Sequence, residues 1–82
     1  MLHNRLAMLR ADRRLSRKEL AEMVGVNFQT IGYLERGEYS PSLELALRLA
    51  EHFKLPVEMI FSLQPFSSIG QELLRAKKAR VG

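Results

Sequence analysis

The chain has 82 residues, a net charge of +4, 46% hydrophobic residues and no cysteine. That length gives one small domain with enough apolar content for a core, and whole-chain disorder is not expected. Without cysteine there are neither disulfides nor thiolate metal sites, as suits a reducing cytosol. No apolar run approaches the roughly 18 residues that cross a bilayer, and the opening "MLHNRLAMLRADRR" lacks a signal-peptide core. The expectation is a soluble cytoplasmic protein with no membrane partner. Charge divides unevenly: residues 1–65 hold nine Lys/Arg and eight Asp/Glu, whereas the tail from Phe66 adds Arg75, Lys77, Lys78 and Arg80 against Glu72. A modest positive excess suits a polyanion without establishing one.

In chain order the sequence predicts short capped helices and no strand. The first helix is expected over residues 4–13, with Leu2, Leu6 and Leu9 on one stripe among Arg5, Arg10, Arg13 and Arg14. The second begins at "SRKEL", where Ser16 and Glu19 have capping-box spacing, and Gly25 stops it, because a left-handed C-terminal position suits glycine. Only Val26 separates that glycine from Asn27, the next N-cap candidate, so the chain must turn sharply.

The third helix, "NFQTIGYLERG", carries the functional signal. At about 100° per residue, Ile31 and Leu34 share one side, with Thr30 and Glu35 at its edges. The opposite arc holds Phe28, Gln29, Gly32, Tyr33 and Arg36. Soluble helices usually turn Lys and Glu outward; this one turns out two aromatics, an amide and a mid-helix glycine. "EYSPS" then prepares a fourth helix, "SLELALRLAEHF", apolar on more than one side and expected at the centre of the core. "LPVEMIF" predicts a fifth, short helix with Pro56 near its first turn. "SSIGQELLRAKKARVG" reads either as a sixth, amphipathic helix or as a basic tail. The domain division expected is 1–65 for the folded unit and 66–82 for that extension.

Residues 17–36, "RKELAEMVGVNFQTIGYLER", satisfy a helix-turn-helix wherever packing is demanding. Ala21 is small where the third helix crosses, Gly25 turns, and Val24, Val26, Ile31 and Leu34 are apolar. The stretch "LSRKELAEMVGVNFQTIGYLERGEYSPSLELALRLAEHFKLPVEMIF" resembles the Cro/cI-type (XRE) helix-turn-helix regulators without a gap. The resemblance implies an all-α, five-helix, lambda-repressor-like fold and a homodimer on double-stranded operator DNA, with the third helix in the major groove. By position it implies base contacts from Phe28, Gln29 and Tyr33, with Asn27, Thr30 and Gly32 close by. It further implies phosphate contacts from Arg10, Arg17 and Arg36, and an ion pair of Arg10 with Glu35. The family often has glutamine where this chain has Arg17, and polar or basic residues at Phe28 and Tyr33.

The chemistry of these residues fits such roles. Gln29 can pair bidentately with adenine, worth about 1–3 kcal/mol of discrimination, and Phe28 can pack on a thymine methyl. Gly32 admits a close backbone approach at a helix cost of about 1 kcal/mol relative to Ala. The apolar excess near the C-terminal side places the expected dimer surface at Val57, Phe61 and Phe66. His3 and His52 have no ligand spacing. No nucleophile–base arrangement or phosphate loop is present, so no enzyme, metal, cofactor or small-molecule ligand is expected. Alternative readings are an antitoxin that represses its own operon and binds a toxin, and a protein-interaction module without DNA.

Overall fold

The computed structural model describes residues 2–66, so the sixth-helix or tail reading of the basic extension lies outside the described residues. In chain order these form β1 (His3–Asn4), α1 (Leu6–Asp12), α2 (Arg17–Val24), α3 (Phe28–Glu35), α4 (Leu43–Phe53), a 3-10 turn (Val57–Met59) and β2 (Phe61–Ser62). The capping residues read from the sequence set several boundaries. The Ser16 hydroxyl accepts from Glu19 N–H at 3.0 Å while the Glu19 carboxylate accepts from Ser16 N–H at 2.9 Å, a complete capping box. Gly25 ends α2 at φ 76°, and Val26 N–H closes the turn onto the Ala21 carbonyl. Asn27 and Ser42 start α3 and α4 by accepting from Gln29 and Leu45 N–H at 2.8 and 3.1 Å.

Two expectations are corrected. The described residues contain four α-helices, not five, because "LPVEMIF" makes only a three-residue 3-10 turn before going extended. The all-α reading also missed an antiparallel pair, His3 opposite Ser62 and Asn4 opposite Phe61. That ladder delays α1 to Leu6. Asn4 stays outside the helix with its side chain in two bonds: Oδ1 accepts from Leu6 N–H at 3.0 Å, and Nδ2 donates to the Leu34 carbonyl at 2.8 Å.

The core is formed by Leu6, Leu20, Ala21, Val24, Ile31, Leu34, Leu45, Ala46, Leu49, Phe53, Ile60 and Phe61, all apolar. Each helix contributes its apolar stripe. Ala21 is buried in the core on α2, the helix that packs most extensively against α3. α4 is central on one side only: Leu45, Ala46, Leu49 and Phe53 are buried, while Leu43 and Leu47 face out. Arg13 fastens α1 to the end of α4, donating to the His52 and Phe53 carbonyls at 3.3 and 2.8 Å, where the helix leaves unpaired acceptors.

Candidate nucleic-acid interface

α3 buries Ile31 and Leu34 and presents the opposite arc outward, as the helical wheel predicts. Phe28 is 53% and Tyr33 48% exposed, and Asn27 and Gln29 are exposed beside them. Two large aromatics left in water on one short helix are not explained by the core, which is complete without them. Thr30 is half-buried at the edge. The Asn27 amide oxygen is committed to the helix cap, leaving its nitrogen for any outside partner.

Gly32 lies at the middle of this face, yet it is buried. Two guanidinium groups roof it: a Cβ placed there would lie 3.2 Å from Arg36 Nη1 and 3.9 Å from Arg17 Nη1. Arg17, Phe28, Gln29, Gly32, Tyr33 and Arg36 together line a shallow depression of about 150 Å³. The residues expected on one arc lie together, and the arginines reach further across it than expected. Arg36 also lies against Tyr33, its Cζ 5.1 Å from the ring centroid, and its Nε pairs with Glu38 at 3.2 Å.

Behind this face stands one carboxylate. The Glu35 side chain is 3% exposed. It accepts from Arg10 Nε at 2.7 Å and Nη2 at 3.3 Å, as the Arg10–Glu35 pairing anticipated. It also accepts from Arg17 Nε at 3.0 Å, a second partner with no local signal in the chain, since the two residues lie on different helices. Burial opposes the charge on Glu35, but hydrogen bonds from Arg10 and Arg17, and then their positive charges, outweigh it and hold the carboxyl below its usual value. Arg10, expected at a phosphate, has all three guanidinium nitrogens bonded within the domain. Its third nitrogen, Nη1, donates to the Leu15 carbonyl at 2.9 Å, so the whole fork faces inward.

Near the end of the described residues Phe61, expected at a dimer surface, is 8% exposed and belongs to the domain's own core. Its side chain faces inward from β2, and alternation turns its strand neighbour the other way. Val57 is half-buried against the core. Phe66 lies under Arg5, whose Cζ is 4.0 Å from the ring centroid. Met59 and Leu63 are the apolar side chains exposed nearby, at 46% and 77%. Among the described residues no cluster of His, Cys, Asp and Glu could hold a metal ion, and no helix is long and apolar enough to cross a membrane.

An exposed recognition-type helix crossing a small-residue contact on its partner defines a helix-turn-helix protein. The helix-turn-helix family model matches residues 6–60, and the chain belongs to that family, in its XRE-type branch of transcriptional regulators, a non-enzymatic family. An uncharacterized HTH-type transcriptional regulator of Archaeoglobus fulgidus is 42% identical over 60 residues, covering 73% of this chain and 84% of that one. The cryptic phage CTXphi transcriptional repressor RstR of Vibrio cholerae is 32% identical over 62 residues, covering 76% of this chain and 56% of RstR. The restriction-modification controller protein C.AhdI of Aeromonas hydrophila superposes with a TM-score of 0.62 at 33% identity, over 67% of this chain and 83% of that chain.

Proposed function

We propose that the chain is a sequence-specific DNA-binding repressor that acts in the cytoplasm as a homodimer on a two-fold symmetric operator. Residues 1–65 form its DNA-binding unit, and 66–82 extend it. α3 enters the major groove, with Gln29 reading a base edge, Phe28 and Tyr33 packing on thymine methyls or reaching base edges, and Arg36 on a phosphate. The observation that carries this reading is the outward face of α3: two half-exposed aromatics and an amide set around a glycine flanked by two guanidinium groups. Repression takes support from the likeness to RstR, itself named a transcriptional repressor. Dimerisation through Met59 and Leu63, with Val57 and Phe66 beside them, takes support from the exposure of the first two. Two copies would place their recognition helices about 34 Å apart, one turn of DNA.

Selection of bound duplexes from a random pool at about 0.15 M salt, followed by sequencing, tests the proposal. The expected product is a two-fold symmetric consensus with half-sites one helical turn apart. A folded, soluble protein that enriches nothing would overturn the reading and turn attention to Phe28 and Tyr33 as anchors for a protein partner.

A further inference from the structure

Arg17 belongs to the first turn of α2, yet its guanidinium lies over the middle of α3's outward face, 3.9 Å from the position a Gly32 Cβ would take. What holds it there is Glu35, whose Oε1 accepts from Arg17 Nε at 3.0 Å. That carboxylate is itself fixed, being 3% exposed and gripped from the other side by Arg10. Nε is therefore occupied by a buried anchor. The outer fork, Nη1 and Nη2, makes no hydrogen bond to any described residue and lines the depression shared with Phe28, Gln29 and Tyr33. A phosphate contact from the start of α2 would belong at the flank of α3. Arg17 instead shares the depression on the outward face of α3 with Phe28, Gln29 and Tyr33.

A guanidinium presented by its two terminal nitrogens matches the O6 and N7 acceptors of guanine, which lie side by side in the major groove. Anchoring Nε fixes the plane of the fork before DNA arrives, so less side-chain freedom is lost on binding. Gly32 is part of the same device. Its missing side chain leaves the seat in which Arg17 and Arg36 lie.

We propose that Arg17 is a base-reading residue that selects a guanine in each half-site, beside the base pair read by Gln29, and that Glu35 is its positioning residue. This rests on the DNA-binding reading above and reassigns Arg17 from phosphate contact to specificity.

The test is the same duplex selection run on the unaltered protein, Arg17→Lys, Arg17→Ala and Glu35→Gln, together with affinities for the consensus and for mixed-sequence DNA. The unaltered protein should require a G·C pair at one fixed position of each half-site. Arg17→Lys keeps the charge but lacks the fork, so it should lose about tenfold or more in preference at that pair alone. Its affinity for mixed-sequence DNA should stay within about twofold, because the charge count is unchanged. Glu35→Gln should blunt preference at the same pair and spare the rest of the consensus, which a merely destabilised fold would not do. An Arg17→Lys variant that keeps the G·C preference overturns the proposal. So does an Arg17→Ala variant that weakens consensus and mixed DNA by equal factors, the mark of a phosphate contact. Absence of any consensus for the unaltered, folded protein removes the DNA reading itself. If Glu35→Gln fails to fold, the Arg17 variants still decide, because that side chain is 46% exposed and outside the core.

Discussion

Glu35 shows how one residue can serve both stability and the interface. Its carboxylate is nearly sealed from water and satisfied by two arginines, so removing it strands the largely buried Arg10, while Arg17 stays open to solvent. Glu35→Ala is expected to cost about 3 kcal/mol, read as a drop in the midpoint of chemical unfolding. The pH dependence has a definite sign. Folding depresses this carboxyl, so its contribution is present above the ordinary glutamate value of about 4.3 and is lost as pH falls through the lower folded value. Melting temperature should therefore decline below about pH 4.3, and Glu35→Gln should flatten that decline. A Glu35→Gln protein with the same acid slope would assign the pH response elsewhere. On the outer face the roles divide differently. Gln29→Ala is expected to relax sequence preference at one base pair of each half-site, whereas Arg36→Ala weakens consensus and random DNA alike. Paired affinities for the two kinds of DNA separate these outcomes.

At the scale of elements, what the sequence disclosed depended on whether its signal was local. Ser16, Asn27 and Ser42 cap helices through bonds spanning two or three residues, and Gly25 turns the chain by its own backbone, so each was legible from neighbours alone. The outer arc of α3 was legible because a helical period sorts residues without knowledge of the fold. The β pair was not, since strands of two residues carry no alternation and their partners lie 57 or more positions apart. For the same reason Asn4 falls inside the helix expected over residues 4–13, although it joins three elements. It lies in β1, bonds the first turn of α1, and donates to the last turn of α3. Asn4→Ala removes both side-chain bonds and is expected to cost about 1–3 kcal/mol. The loss should appear as faster amide exchange at Leu6 and near the end of α3, with the Ser16-capped start of α2 unaffected. Uniform acceleration throughout the domain would mean that Asn4 supports the whole fold and not this junction.

For the whole molecule, burial separates two aromatic or aliphatic positions that a sequence reading treats alike. Phe61 and Leu63 stand two residues apart in an apolar stretch after the 3-10 turn. Phe61 is 8% exposed and part of the core cluster, so Phe61→Ala is expected to cost about 3–5 kcal/mol of stability. Leu63 is 77% exposed and contributes almost nothing to the folded subunit. If copies associate through this end, Leu63→Glu would put two charges across the shared surface and leave each subunit's core intact. Sedimentation equilibrium should then show a monomer for Leu63→Glu where the unaltered protein is a dimer, with matching secondary structure by circular dichroism. Operator affinity should fall with it, because each subunit would bind its half-site alone and forfeit the gain from binding both together. Affinity for a single half-site should hardly change. A Leu63→Glu protein that remains dimeric would move the interface away from Leu63, and an unaltered protein that is monomeric both free and on DNA would end the two-fold operator model altogether.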